Sequence, residues 1–208
     1  MGAPDPFESA SDETRAEMMR ATYDALRKHG YSDLTIQRIG DEFPKSKSLI
    51  YQHYDGKDGL LVAFLEFLLE RFEADVPTDD EFADAREHVL TLVDHALADP
   101  DDDEHAAFLG AMTALRGQAP YDEAYREQFA DTDAFFREHV ADIVRDGIEE
   151  GVFRDVDPER TAAFVAATID GAQSQYVTTG NDEPIEAARR ELTDYVRTRL
   201  VADGEDDR

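Results

Sequence analysis

Apolar positions recur at helical spacing along almost the whole chain, and no stretch shows the strict alternation of a half-buried strand. From Glu13 to His29, Met18, Met19, Thr22, Tyr23, Ala25 and Leu26 fall at helical spacing, and Gly30 follows as a helix-ending residue. Thr35 stands where a short helix, Ile36 to Glu42, needs an N-cap acceptor. Phe43-Pro44-Lys45 stops that helix, because proline has no N–H and disfavours helical backbone in the residue before it. Ser46 is placed to cap the next helix, which runs to about Tyr54 and ends at Asp55-Gly56. A longer helix is predicted from Lys57 to Asp75, where Leu60, Leu61, Phe64, Leu65, Leu68, Leu69 and Phe72 form a stripe too broad for a solvent face.

After Val76-Pro77 the helical pattern resumes, broken at Asp99-Pro100, Gly117 to Pro120, Gly151 to Pro158 and Thr178 to Pro184. The breaks leave helical segments at about 79–98, 103–117, 121–150, 158–179 and 184–202, the fourth opened by Asp157-Pro158 as N-cap and N1. The expectation is an all-α protein of about nine helices, with an N-terminal three-helix head, a connecting helix and a C-terminal helical bundle. Residues 1–11 form a loose leader, 12–56 the head, 57–75 the connecting helix, 76–203 the bundle and 204–208 a flexible tail.

Charge then singles out the head. The 208-residue chain carries 49 Asp/Glu against 21 Lys/Arg, a net charge of −28. All four lysines, Lys28, Lys45, Lys47 and Lys57, lie between Arg27 and Lys57. That stretch holds six basic residues against four acidic ones, +2, while the rest of the chain carries −30. A surface so acidic repels polyanions, so an anionic partner is expected at this island. The acidic residues are spread through helical patterns rich in Leu, Phe, Val and Ala, which argues for a folded acidic surface over disorder. Abundant Asp/Glu, scarce Lys and no Cys resemble the composition of proteins from salt-accumulating organisms, where screening lengths of a few ångströms make such self-repulsion tolerable. With no cysteine there is no disulfide, thiolate zinc site or thiol switch. The absence of an apolar run of membrane length, and of a basic and apolar leader, points to a cytoplasmic protein with no membrane partner.

The island coincides with a helix-turn-helix pattern, Thr35 to Tyr54, whose second helix has the dimensions of a reader of the DNA major groove. Ile50 and Tyr54, four apart, are expected to anchor that helix on Ile39 and Phe43, leaving Lys47, Ser48, Leu49 and Gln52 near its outer face. Lysine reaches guanine acceptors, glutamine pairs with adenine, and leucine meets the thymine methyl. Thr35, Tyr51, His53 and Lys57 carry donors suited to phosphates.

Gly30-Tyr31, Leu34-Thr35-Ile36, Arg38-Ile39-Gly40, Ser46, Ile50-Tyr51, His53-Tyr54, Gly56-Lys57-Asp58 and Leu60-Leu61 together resemble the N-terminal domain of the TetR/AcrR family, over residues 14–65 with unbroken spacing. Gly147-Ile148, Gly151-Val152-Phe153, Asp157 and Ile169-Asp170-Gly171 are similar to a looser pattern in that family's C-terminal domain. The resemblance implies an all-helical, homodimeric transcriptional regulator, usually a repressor, released from a near-palindromic operator on double-stranded DNA by a small ligand. On this implication residues 76–203 bind the effector and dimerise. Carried over position by position, Gln37, Lys47, Ser48, Leu49 and Gln52 fall at base-facing positions, and Thr35, Tyr51, His53 and Lys57 at phosphate-contact positions. Phe43-Pro44-Lys45 departs from the family's usual Ala-Gly-Val, and Ser48 from a frequent glycine.

In the bundle, Phe108, Met112, Tyr121, Tyr125, Phe129 and Phe136 are candidates to line a ligand pocket with Gln173 as a polar contact, the alternative for each being plain core packing. Phe164, Thr168, Ala172 and Tyr176 on one late helix, with Leu192, Tyr195, Val196 and Arg199 on the next, are the expected dimer face. His88 and His95 lack the further inward ligands a metal site needs, and read as exposed residues of an acidic helix. No nucleophile elbow, phosphate-binding glycine loop or cysteine nucleophile is present, so neither an enzyme nor a bound cofactor or metal is expected. The competing reading is an acidic all-helical protein that binds ligands or other proteins without touching DNA.

Overall fold

The computed structural model describes residues 13–74, 82–98 and 103–202. The proposed leader 1–11, the tail 204–208 and the Val76-Pro77 and Asp99-Pro100 breaks lie outside the described residues. Those residues form α1 (Glu13–Asp33), α2 (Ile36–Glu42), α3 (Lys47–His53), α4 (Lys57–Ala74), α5 (Ala85–Ala96), α6 (Asp103–Arg116), α7 (Glu123–Glu149), α8 (Pro158–Thr179) and α9 (Glu183–Tyr195). The all-α expectation therefore holds, with no β-strand among the described residues beyond one isolated bridge.

The chain divides into two compact units, residues 1–76 with 107–132, and residues 77–106 with 133–208. In the first, α1 packs on α2 and α4, and α2 on α3. Met19, Ala25, Ile39, Ile50, Leu60, Leu61 and Phe64 are wholly buried in one cluster that also takes in Leu115 and Tyr125. Gly30 breaks α1 with φ 68° and ψ 164°, a conformation that glycine alone reaches cheaply, and a last turn, Tyr31 to Asp33, follows it.

In the second unit α8 packs on α9 and α5 on α9. Two apolar clusters fill it, one around Val93, Val140, Val165, Ile185 and Leu192, the other around Val89, Ile143, Phe153, Val196 and Leu200. α5 starts later than the apolar pattern suggests: the Asp84 carboxylate accepts from the Glu87 N–H and fixes the N-cap there. α8 begins as expected, with the Asp157 carboxylate accepting from the Arg160 N–H and Pro158 at N1. The expected helix to residue 202 ends sooner. After Tyr195 the chain widens into a π-helical turn, Val196–Leu200, closed by Val201 N–H to the Val196 carbonyl at 3.0 Å. Val201 then bridges Phe153, with Arg154 N–H on the Leu200 carbonyl at 2.7 Å and Ala202 N–H on the Val152 carbonyl at 2.9 Å. This short clasp turns the Gly151-Val152-Phe153 segment inward and buries the Phe153 ring.

Gly147 makes room for that ring. A Cβ at position 147 would lie 2.2 Å from Phe153 Cδ2 and 2.9 Å from Ala85 Cβ. Gly147→Ala is expected to lower stability by about 1–3 kcal/mol through overpacking, read as a shift in denaturant midpoint at unchanged slope. Adding Phe153→Leu should recover part of that loss. Strict additivity of the two changes would show that the ring is not what position 147 accommodates.

Candidate nucleic-acid interface

Two seven-residue helices build the site, and each is held by its ends and by one buried face. Thr35 caps α2 with its hydroxyl accepting from the Arg38 N–H at 3.2 Å, and the Arg38 guanidinium reaches back to the Asp33 carbonyl. At the other end the Phe43 N–H closes on the Ile39 carbonyl at 3.2 Å. Ile39, Phe43 and Ile50 are buried, with Tyr54 partly buried beside them, as the four-residue spacing requires. Ser46 occupies the N-cap position of α3, but its hydroxyl pairs with the Ser48 hydroxyl at 2.7 Å and makes no capping bond. The expected side-chain cap is thus absent, and the Leu49 N–H on the Ser46 carbonyl at 2.9 Å starts the helix.

Gln37, Ser48, Tyr51, Gln52 and His53 are exposed, Tyr51 at 55%. Leu49 is only partly so, because its side chain leans on the head's core cluster. Thr35 is exposed but already serves as the α2 cap. The unusual turn has its own logic. Phe43 plugs the core, Pro44 faces solvent, and Lys45 points back across α1 to Glu17 Oε2 at 2.5 Å and Thr14 Oγ1 at 2.9 Å. A lysine where a small apolar residue is usual therefore clamps the turn from outside.

Every lysine of the island has a partner within the head. Lys28 pairs with Glu42 at 2.6 Å, Lys45 with Glu17, and Lys47 with Asp41. Lys57 donates to the Tyr31 carbonyl at 3.1 Å with its ammonium 4.2 Å from the centre of the Tyr31 ring. The Lys47 stem lies so close over Gly40 that a Cβ there would meet its Cγ at 2.9 Å, which aims the ammonium at Asp41. Sequence reasoning missed this self-pairing. The adjacent carboxylates Asp41 and Glu42 at the end of α2 were the available signal.

A hydrogen-bonded cluster lies at the start of α4. Asp58 Oδ1 accepts from the Tyr31 hydroxyl at 3.1 Å and from the Tyr125 hydroxyl at 3.2 Å. Burial, and then the nearby Asp58 carboxylate, push both phenols above their ordinary range. Tyr54 is raised as well, chiefly by burial.

The residues considered for a ligand pocket are divided between the units. Phe108, Met112, Tyr125 and Phe129 belong to the first unit's core, with Phe108 against Tyr23 at 6.1 Å between ring centres. Tyr121 is 89% exposed on the turn before α7. Phe136 packs in the second unit, where the Gln173 amide donates to the Ala96 carbonyl at 2.7 Å. Of the residues considered for a dimer face, Ala172, Leu192 and Val196 fill the second unit's own core, with Tyr176 packed against it. Phe164 and Arg199 are exposed, Thr168 and Tyr195 partly so, and the Phe164 and Tyr195 rings lie 4.9 Å apart. His95 is exposed as expected, but His88 is not: it is buried with its ring stacked 4.0 Å from that of Phe82.

Residues 19–64 match the family described as bacterial regulatory proteins, tetR family, and residues 85–201 match the BetI-type transcriptional repressor C-terminal family. A TetR transcription regulator from Haloarcula marismortui, known from its crystal structure, is 40% identical with a TM-score of 0.81, over 90% of this chain and 98% of that one. A transcriptional regulator from Saccharomonospora viridis, crystallised in complex with choline, shares the fold at 24% identity and a TM-score of 0.77, over 91% of this chain and 98% of that one. The HTH-type transcriptional repressor AcnR of Corynebacterium glutamicum is 21% identical over 187 residues, 89% of this chain and 94% of that protein. An N-terminal helix-turn-helix segment whose family match, residues 19–64, takes in all four lysines of the chain, joined to a C-terminal region matched along most of its length, places this chain in the TetR family of DNA-binding transcriptional regulators.

Proposed function

We propose that the protein is a homodimeric repressor that reads an inverted-repeat operator with α3 and leaves it when a small effector binds the C-terminal region. The observation that carries this reading is the exposed, polar outer face of α3 beside the only lysine-bearing segment of a chain with net charge −28. In this reading Gln37, Lys47, Ser48 and Gln52 read base edges, with Leu49 contributing an apolar edge. Tyr51, His53 and Lys57, with the α2 terminus capped by Thr35, meet phosphates. Two-fold symmetry through α8 and α9, with Phe164, Thr168, Tyr195 and Arg199 as the available face, sets two copies of α3 about 34–36 Å or a multiple of a helical turn apart. The repressor role is supported by the names of the matched C-terminal family and the Corynebacterium relative. Choline is the first effector to test, because a regulator of the same fold binds it and an acidic protein favours cations.

Self-paired lysines change the energetics expected of such a complex. A lysine that leaves a carboxylate to reach a phosphate exchanges one charge partner for another, so the gain from releasing condensed counterions is smaller. Binding then leans on base contacts, released water and shape, which suits an acidic protein working in concentrated salt.

Selection from a pool of genomic duplexes with the purified protein in molar KCl should return an inverted repeat, and a pool with no enrichment would overturn the reading. The slope of log affinity against log salt should be shallower than about −5, the value for six phosphate contacts. A steeper slope, with binding lost in molar KCl, contradicts the exchange argument. Lys47→Ala and Gln52→Ala should each cost about 1–3 kcal/mol on the operator and relax base preference. Lys57→Ala should weaken operator and random DNA alike, and an unchanged affinity for Lys47→Ala would mean that α3 is placed otherwise.

A further inference from the structure

We propose that Tyr125 and Asp58 are positioning residues for DNA binding, holding the start of α4 so that Tyr31 and Lys57 are set to meet a phosphate; this rests on the assignment of Lys57 above. Asp58 stands in the first turn of α4, next in sequence to Lys57. One carboxylate oxygen accepts two phenol hydroxyls, from Tyr31 at 3.1 Å and from Tyr125 at 3.2 Å. Tyr31 in turn cradles Lys57, taking one of its N–H donors on the backbone carbonyl and facing its ammonium with the ring. An ammonium has three donors, so capacity for a phosphate oxygen remains.

The two tyrosines come from different parts of the chain. Tyr31 and Asp58 lie in the segment matched by the N-terminal family, whereas Tyr125 lies in the segment matched by the C-terminal family. Tyr125 is 1% exposed and close to the start of α7, in the same compact unit as α4. Its ring belongs to the core, and its hydroxyl needs a partner that Asp58 supplies. A residue from the C-terminal segment thereby sets the geometry of a cation in the head.

Two plainer roles compete with this one, and they predict different outcomes. If Tyr125 serves only as a core ring, Tyr125→Phe keeps the ring and leaves DNA affinity alone. If Asp58 matters only as a negative charge near a phosphate, Asp58→Ala and Asp58→Asn both tighten DNA binding. Positioning predicts otherwise: Asn keeps an acceptor for the phenols and Ala does not.

The test uses the full-length protein with the selected operator and a random duplex, together with amide hydrogen exchange of residues 57–61 in the absence of DNA. Tyr125→Phe and Asp58→Ala should weaken both duplexes by about threefold to tenfold, the effect of losing one or two hydrogen bonds, while the ratio between duplexes stays the same. Asp58→Asn should recover most of what Asp58→Ala loses. Exchange at 57–61 should be severalfold faster in Tyr125→Phe. Asp58→Ala binding as tightly as the wild type or more tightly would overturn the proposal, as would Tyr125→Phe with unchanged affinity or unchanged exchange. If Lys57→Ala weakens binding while Tyr125→Phe does not, the inference falls and the DNA-binding assignment stands. Failure of the wild type to bind any duplex removes both.

Discussion

The head depends on one packing contact, that of α3 on α2 through Ile39, Phe43 and Ile50. A seven-residue helix is too short to persist in water on its own, since nucleation costs more than so few backbone bonds return. Both α2 and α3 are of that length. Their shape is therefore a property of the core: Ile39 and Ile50 are wholly buried and Phe43 is nearly so. Burying three such side chains contributes on the order of 1.5–3 kcal/mol each. The outer face of α3 is free to be polar because its inner face already carries the cost of ordering the segment. Lys45 reaches outside the turn to Glu17, so the residue after Phe43-Pro44 is held on α1 and not in the core.

Electrostatics pulls the other way and is managed locally. A protein with 49 carboxylate side chains cannot present bare lysines cheaply, and three of its four lysines pair with Asp or Glu side chains while the fourth rests on Tyr31. These pairs are exposed or half-exposed, so each adds little to stability. Their consequence is orientational, because they hold long, flexible side chains in a limited set of directions before any partner arrives. The same economy appears at Asp58, where a single carboxylate oxygen serves two phenols and sits beside Lys57.

The second unit solves a different problem, that of closing the end of a helical bundle. Gly147 removes a side chain so that Phe153 can enter, and the π-helical turn after Tyr195 brings Leu200 and Val201 onto the same segment. The looser Gly-Ile, Gly-Val-Phe pattern seen in the sequence is thus the trace of a steric fit. Its glycine at 147 answers a ring six residues later, and the ring's inward position needs the C-terminal backbone to pair with it.

What the sequence determined by itself is local. Helical periodicity, the caps Thr35 and Asp157 and the break at Pro44 are set by residues within a few positions of one another, the pairing of Ile50 and Tyr54 with Ile39 and Phe43 by residues no more than 15 apart, and the structure keeps each. The confinement of lysine to residues 28–57 is equally plain in the sequence, and it points to an anionic partner for that segment. Tertiary structure decided what those helices face. An apolar stripe does not name its partner, so Leu192 and Val196, apolar enough for an interface, fill their own unit's core, and Tyr125 and Phe129, aromatic enough for a pocket, pack with the head. Ion pairs such as Lys45 with Glu17 join residues 28 positions apart and leave no periodic mark. Periodicity records that a face is buried; only the packed chain shows against what, because the choice is made by shape and charge between segments that sequence order keeps apart.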